Sequence, residues 1–161
     1  MLGEETIRAT VIGAGCHSAQ LSGSTVFYRG VPLPLKNLPV VGISAEEQER
    51  PDFGGIAAAR LARQEHAYAV LALPGLEAPA YDRVAAMADS LAEALRGKPV
   101  LIALEADMAK ALGHALALRL PEDTPILCID RLRLPPDSYL DVGAPVGPAL
   151  PVVIKTLILS R

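Results

Sequence analysis

The 161-residue sequence contains no tryptophan, and aromatic residues make up only 4% of it. A buried core must therefore be aliphatic, and the 51% hydrophobic content can supply it. Positive charge is scarce as well, since the formal net charge is −3 and Lys and Arg form no runs. Proteins that bind nucleic acids usually concentrate basic residues on one face, so this function is not expected. Length and composition predict a single globular domain over residues 1–161.

Long apolar runs, signal-peptide features and cysteine pairs are also lacking. The longest apolar run, Leu150–Leu159, contains Lys155 and is about ten residues long, whereas ~20 are needed to span a bilayer. The first five residues have neither a basic region nor an apolar stretch, so the sequence predicts no signal peptide. Cys16 and Cys128 lie far apart and are interpreted as reduced thiols. We therefore expect a soluble protein of the cytoplasm.

Residues 1–44 form a Gly- and Pro-rich region of short strands. Runs rich in β-branched residues predict strands at Thr6–Ile12, Ser24–Tyr28 and Val40–Ile43. Between the last two, closely spaced prolines remove strand hydrogen-bond donors and predict an extended edge or loop rather than a central strand. The polar segment Ala45–Asp52 that follows predicts an exposed connection.

Residues 53–130 alternate between helix and strand patterns. The helix over Tyr81–Arg96 has the clearest pattern, because its apolar residues recur with the helical period on one face. The other predicted helices are Phe53–Glu65, capped by Asp52, and a helix through Arg119 capped by Asp107. Continuous apolar runs predict three buried strands, at Tyr68–Leu73, Val100–Leu104 and Ile126–Ile129.

The last region, residues 138–159, predicts two closing strands, Ser138–Val142 and Val152–Leu159, around a Gly/Pro-rich turn. Three strand–helix–strand units in the middle require crossovers that make neighbouring strands parallel. The hairpin-like flanks add antiparallel strands. We therefore predict an α/β fold with a mixed, largely parallel sheet flanked by helices.

The first candidate site is the segment Gly13-Ala14-Gly15-Cys16-His17-Ser18. A strand that runs into glycines lets the backbone approach a ligand closely, and a following helix would direct free N–H groups at a phosphate. The spacing begins like a dinucleotide fingerprint, but Ser18 occupies the place of the third glycine. The residues alone leave two readings open, nucleotide contact and a tight turn that needs glycine.

Other reactive residues give weaker signals. Cys16–Ser18 contains a thiol, an imidazole and a hydroxyl, but adjacent side chains usually point apart and cannot act as nucleophile and base. His17, His66 and His114 are isolated, and neither cysteine has the spacing of a metal ligand. No metal site is predicted.

Three carboxylates follow buried strands: Asp130 ends one, and Glu105 with Asp107 follows another. Ligands of α/β proteins often bind at the carboxyl ends of parallel strands. A ligand role for these residues is one interpretation, although Asp107 also suits the position of a helix cap.

Two blocks of sequence resemble a known family. Arg8–Leu38, which includes ATVIGAGCHSAQLSGSTVFYRG, closely resembles the signature stretch of the ethanolamine ammonia-lyase reactivating proteins, the EutA family. The block SYLDVGAPVGPALPVVIKTLIL at Ser138–Leu159 is similar to that family's C-terminal end. The resemblance extends over nearly the whole chain and is more specific than any glycine motif in it.

The resemblance implies membership of the actin/Hsp70-like ATPase superfamily, with this chain forming part of the C-terminal lobe. It implies that the longer parent protein binds ATP with Mg²⁺. The family acts as a chaperone-like factor that helps ethanolamine ammonia-lyase exchange damaged cobalamin for intact adenosylcobalamin. The implied partners are the lyase and the N-terminal remainder of the parent, in the cytoplasm or a bacterial microcompartment.

The same resemblance assigns the adenosine-binding segment to Gly13, Ala14, Gly15, Cys16, His17 and Ser18, in which the glycines give backbone access. Asp141-Val142-Gly143 resembles the Asp-x-Gly phosphate hairpin of these ATPases, but the hydroxyls that normally follow it are absent and a turn is expected instead. Since the family's phosphate hairpins lie upstream, we expect this C-terminal piece not to hydrolyse ATP alone. A module that docks on the lyase without nucleotide is the alternative, and a Rossmann-like enzyme is disfavoured.

Overall fold

A computed structural model describes residues 17–19, 25–78, 80–135, 138–147 and 150–156. Within these ranges the chain forms eight strands and four helices. The strands are β1 (His17–Ala19), β2 (Val26–Arg29), β3 (Leu35–Gly42), β4 (Val70–Leu73), β5 (Val100–Leu104), β6 (Ile126–Ile129), β7 (Ser138–Val142) and β8 (Val152–Thr156). The helices are α1 (Ala45–Gln48), α2 (Phe53–Ala62), α3 (Tyr81–Ala94) and α4 (Ala109–Arg119).

All eight strands belong to one sheet, in the order β1-β8-β7-β3-β4-β5-β6-β2. The four strands from β3 to β6 are parallel to one another, and the flanking strands on both sides are antiparallel. Every residue of β5 and β6 is buried, which is why their sequences are continuous apolar runs rather than alternating ones. The predicted mixed, largely parallel sheet is confirmed.

The three longer helices pack on the same face of the sheet. Strands β3, β4, β5 and β6 follow one another in space as they do in sequence. Connections between parallel strands are right-handed. When each connection also leads to the next strand in the same direction across the sheet, all of their helices lie on the same side of it. Accordingly, α2, α3 and α4 contribute to only one of the two apolar clusters, the one that also contains Leu71, Ile102 and Cys128.

The sheet must curl, because its two edges are joined by a short stretch of chain. Residues 20–25 alone connect Ala19 in β1 to Val26 in β2, and these strands lie at opposite edges. Seven extended steps reach at most ~25 Å, whereas seven interstrand spacings across a flat sheet would measure ~34 Å. Curling accounts for the second cluster, in which Leu127, Ile129 and Leu140 are buried on a face that no described helix covers.

Strand β3 differs from its prediction. Pro39 was expected in an edge or loop, yet it lies within β3, which has β7 on one side and β4 on the other. The two pairings use different stretches of the strand: β7 pairs with residues from Leu35 to Pro39, and β4 pairs from Val40 onward. At Pro39 the strand is paired with β7 through Tyr139, and the pairing with β4 begins only at the next residue, so the proline lies where one side of the strand is still an edge, a position in which strands tolerate proline.

The segment predicted as an exposed connection, Ala45–Asp52, contains helix α1. Ser44 and Glu47 form a capping box, in which the Ser44 hydroxyl accepts from the Glu47 N–H and the Glu47 carboxylate accepts from the Ser44 N–H. Gln48 is buried at the end of this helix. The other residues of the segment are exposed except Glu47, which is partly buried, so the connection is exposed as predicted but contains a helical turn that the sequence did not indicate.

Helix α3 agrees with its prediction, since Val84, Met87, Ala88 and Leu91 are buried on one face. The predicted caps of the other two helices are wrong. Asp52 makes no capping bond to α2 and instead pairs with Arg50 at 3.0 Å, and α2 ends at Ala62 rather than at residue 65. Helix α4 begins at Ala109, two residues after Asp107, which does not cap it.

Candidate functional site

The predicted nucleotide segment is only partly within the described residues. Gly13, Ala14, Gly15 and Cys16 lie outside them, so their predicted contact with adenosine stays a prediction. The backbone of the remaining two residues forms the start of β1, where His17 pairs with Ile154 and Ser18 with Val153. The segment therefore leads directly into an edge strand of the sheet. A dinucleotide-binding fingerprint would require a helix after the glycines, whereas His17–Ala19 form a strand.

Seven residues after Ser18, Thr25 is held by the carboxylate of Asp130. One Asp130 oxygen accepts from the Thr25 N–H at 2.6 Å, and the other accepts from the Thr25 hydroxyl. The Asp130 N–H donates to the Thr25 carbonyl at 3.2 Å. These bonds extend the antiparallel ladder of β2 and β6 by one residue beyond the pair of Val26 and Ile129.

Asp130 also caps helix α4. The Ala109 N–H donates to Oδ2 of Asp130 at 2.9 Å, which satisfies one of the N–H groups that every helix leaves free at its start. Burial raises the pKa of this fully buried carboxyl, but the hydrogen bonds from Thr25 and Ala109 outweigh it and hold the pKa below its ordinary value. The cap that the sequence assigned to Asp107 thus belongs to a residue more than twenty positions away.

The other carboxylates at the carboxyl ends of the strands pair with arginines. Asp107 contacts Arg131 at 2.7 Å, and Glu105 contacts Arg133 at 3.3 Å. Ligand sites at this end of an α/β sheet form where the strand order reverses and helices diverge to opposite faces. The parallel strands here run in a single direction with no reversal. The geometry therefore favours a structural role for these carboxylates over the predicted ligand role.

A second polar contact at this edge was missed by the sequence analysis. The buried amide of Gln48 donates to the Gly75 carbonyl at 2.9 Å and accepts from the Gly75 N–H at 2.8 Å. Gly75 has a φ of 81°, which a side chain would strain, and an added Cβ would lie 3.0 Å from Ala106. Only the proximity of Pro74 and Gly75 in the sequence indicated a turn here.

The same end of the molecule contains a cleft of about 330 Å³ between helix α3 and the α1–α2 corner. Its floor includes the buried side chains of Phe53, Leu76 and Met87. Arg83, at the rim, is paired with Glu49 at 3.1 Å. The charged side chains of Arg83 and Glu49 at the rim are therefore already paired with each other.

Of the groups weighed for cysteine catalysis, Cys16 lies outside the described residues, so that interpretation is not tested. Across the described ranges, no three His, Cys, Asp or Glu residues are grouped so that they could hold a metal ion. His114 is exposed on α4, with its ring centroid 4.8 Å from that of Phe27. Burial, with a smaller contribution from Asp130, raises the pKa of the Cys128 thiol to about 12, so this thiol is not a nucleophile at neutral pH.

The turn predicted at Asp141-Val142-Gly143 is wrong for its first two residues: Asp141 and Val142 end strand β7, where they pair with Val153 and Val152, and only Gly143 lies beyond the strand. The Asp141 carboxylate accepts from the Asn37 N–H at 2.8 Å and pairs with Lys155 at 3.0 Å. Asn37 has a φ of 58° and lies where the register of β3 shifts against β7. The Asp141 carboxylate therefore stabilises an irregularity in the neighbouring strand.

Among the described residues, no helix is both long and apolar enough to cross a membrane. No solved structure matches the chain.

Comparison with known proteins gives consistent matches over most of the sequence. The family model described as "Ethanolamine utilisation protein EutA" matches residues 2–160. A relative from Salmonella typhimurium (strain LT2), named ethanolamine ammonia-lyase reactivase EutA, is 37% identical over 164 residues, which is 95% of this chain and 34% of the relative. The relative of the same name from Escherichia coli (strain K12) is 38% identical over 160 residues, with the same coverage. The chain spans about a third of the length of these relatives, and it belongs to the EutA family of ethanolamine utilisation proteins.

Proposed function

We propose that the chain is part of a reactivating factor for ethanolamine ammonia-lyase, in which ATP drives the exchange of damaged cobalamin for intact adenosylcobalamin. The observation that carries this proposal is the identity of 37% with a protein named as the reactivase of that lyase, over 95% of this chain. The proposed partners are the lyase and the N-terminal remainder of the full-length protein. The proposed compartment is the cytoplasm, in association with a bacterial microcompartment.

Within this function, we assign the adenosine side of the nucleotide site to Gly13–Ser18. The support is that His17 and Ser18, the last two residues of this segment, pair with Ile154 and Val153 at the start of an edge strand. The superfamily assignment that suggested this segment stays a prediction. A nucleotide bound here would act by shifting the balance between two conformations of the factor, so it must contact the two differently.

The described residues do not fit the phosphate and Mg²⁺ portion of such a site. Carboxylate oxygens are the protein ligands that Mg²⁺ prefers, and those of Asp130, Asp107 and Glu105 are each bonded to protein partners. The Asp141 carboxylate is likewise engaged by Lys155. We therefore derive no hydrolysis step through this portion of the protein, and we expect the phosphate ligands to come from the N-terminal remainder.

Recovery of lyase activity tests the proposal. The lyase is first inactivated with cobalamin that lacks the adenosyl group, and ammonia release is then followed after adenosylcobalamin, Mg²⁺, ATP and the full-length protein are added. We expect recovery that depends on both ATP and the protein. Equal recovery without ATP would instead support the alternative, an interaction module that docks on the lyase without nucleotide.

The nucleotide assignment has its own variant. Replacing Gly13 and Gly15 with Val should weaken ATP binding to the full-length protein by about tenfold or more, because side chains would block the close backbone approach. The matched control replaces Gly42 and Gly55 with Val, since an added Cβ at either position meets nothing within 4 Å. Unchanged ATP affinity in the first variant would place the adenosine elsewhere.

A further inference from the structure

The outer face of helix α4 is poorer in charge than that of its neighbour α3. The exposed residues of α3 include three carboxylates, those of Asp82, Asp89 and Glu93, as is typical of a helix face in water. The exposed residues of α4 are Lys110, Ala111, His114 and Leu118. Its inner face is buried against the sheet as well. A helix that is apolar around most of its circumference is normally covered on more than one side.

Leu118 belongs to an apolar patch rather than standing alone. It is 84% exposed, and a single exposed leucine would need no explanation. However, Leu118 follows Ala111 by seven residues and His114 by four, which places all three on one side of the helix. The ring of His114 in turn lies edge-on to that of Phe27, a partly buried residue of β2. We call this surface the α4 face, and it consists of Phe27, Lys110, Ala111, His114 and Leu118.

The α4 face is held on a rigid support. An added Cβ at Gly113 would overlap the ring of Phe27, so helix and strand are packed as closely as their backbones allow. On the inner side of the helix, Leu112 and Leu116 are completely buried. A partner could therefore bind the α4 face as it stands, without the cost of ordering a flexible surface.

Opposite charges lie at the two ends of α4. Lys110 is exposed in the first turn, and Glu122 is exposed in the turn that follows the helix. Arg119 adds no free charge between them, because it is paired with Asp89 of α3. If two copies of α4 pack antiparallel, Lys110 of each copy lies at the end that carries Glu122 in the other. The opposite ends of the two helix dipoles then also lie side by side, which is favourable.

We propose that the α4 face is the contact between two copies of this protein, which pair through antiparallel α4 helices about a twofold axis. In such a contact each interaction occurs twice, so one complementary pair of ends serves both. Leu118 and Ala111 fill the apolar seam, and Lys110 pairs with Glu122 of the other copy at each end of it. The pairing goes beyond the proposed reactivating function and does not depend on nucleotide binding.

The first test measures the mass of the full-length protein by analytical ultracentrifugation over about a hundredfold range of concentration. We expect a reversible dimer. Leu118→Lys should raise its dissociation constant about thirtyfold or more, because it places an unpaired ammonium group in the apolar seam. The matched control is Tyr81→Lys, which makes the same change at a residue of α3 that is also 84% exposed. It should leave the dissociation constant within about twofold of the original.

Charge reversal tests whether the partner is a second copy. Lys110→Glu and Glu122→Lys should each raise the dissociation constant by about threefold or more, because like charges then meet at both ends of the contact. An equimolar mixture of the two variants should pair within about twofold as tightly as the original protein, since each reversed charge meets its opposite in the other copy. A partner of different sequence would not produce this recovery.

Three outcomes would overturn the proposal: a full-length protein that stays monomeric over the whole range, a dimer that Leu118→Lys does not weaken, or charge variants that do not recover when mixed. If the original protein is monomeric and Leu118→Lys loses binding to the lyase, the α4 face belongs to the lyase contact instead. Urea unfolding shows whether Leu118→Lys folds normally. If it does not, the mixture of the charge variants decides, because both of their changes lie at exposed positions.

Discussion

The parallel strands at the centre of the sheet and the closing strands β7 and β8 differ in how far their polar side chains are shielded from water. Every residue of β5 and β6 is buried, whereas residues of β7 alternate between buried and half-buried. At the centre, water is excluded from both faces, so a polar side chain such as Asp130 must find all its partners within the protein. The closing strands keep a face in partial contact with water, and Asp141 and Lys155 lie there as a half-buried pair.

The largest expected effect comes from a matched pair of core substitutions in these two regions. Ile102 in β5 is 1% exposed and lies under the helices, and Ile154 in β8 is only partly buried. Ile102→Ala should lower the free energy of unfolding by about 2–5 kcal/mol, because it removes apolar contacts and leaves a cavity. Ile154→Ala should cost less than half as much. Urea unfolding of the two variants measures the difference, and equal losses would show that the closing strands are packed as tightly as the centre.

A second pair of variants tests the helix layer that only the central strands possess. An added Cβ at Gly54 would overlap the Ser90 carbonyl oxygen of α3, whereas one at the next residue, Gly55, meets nothing within 4 Å. Gly54→Ala should therefore destabilise the protein by about 1–3 kcal/mol through overpacking. Gly55→Ala should stabilise it by about 0.4–1 kcal/mol, since alanine restricts the unfolded chain. Thermal unfolding of both variants should show shifts of opposite sign.

The buried carboxylate of the central region predicts a pH dependence. Because the pKa of Asp130 is lower in the folded protein than its ordinary value of 3.8, folding favours the ionised form. Its contribution to stability is present at neutral pH and is lost as the pH falls below about 4 toward the folded pKa. Asp130→Asn should cost about 1.5–3 kcal/mol at pH 7.

Urea unfolding at pH 7 and at successively lower pH values checks this dependence. The difference in stability between the original protein and Asp130→Asn should narrow as the pH drops below about 4. A constant difference down to pH 3 would mean that folding does not lower the pKa of Asp130. Asp52→Asn provides a comparison with an exposed carboxylate whose partner, Arg50, is a surface arginine.

The central strands and helix α3 could be predicted because their evidence is local. The apolar runs at Val100–Leu104 and Ile126–Ile129 coincide with β5 and β6, and the helical period of Tyr81–Arg96 coincides with α3 to within a few residues. The β7 strand also has its predicted bounds. In each case the pattern of apolar residues along a short stretch of sequence shows which faces of the element are buried.

The cap of helix α4 and the hydrogen bonds between Asp130 and Thr25 could not be predicted, because they join residues that are distant in sequence. Asp107 has the type and position of a helix cap, but the cap that forms comes from Asp130, which strand pairing brings to Ala109. Pro39 was excluded from the sheet interior because the sequence does not show that β4 begins to pair only at Val40. The glycine segment was recognisable by its sequence, and its described residues show only where it enters the sheet.

The smallest expected effect belongs to the half-buried pair of the closing strands. The side chains of Asp141 and Lys155 are 22% and 14% exposed, and Asp141 also accepts from the Asn37 N–H. In a double-mutant cycle with Asp141→Asn and Lys155→Met, we expect a coupling energy of about 0.5–1 kcal/mol, which 1 M salt reduces. A coupling above about 2 kcal/mol that salt does not reduce would mean that the closing strands also exclude water. The two regions would then differ in their sequence patterns but not in their exposure to water.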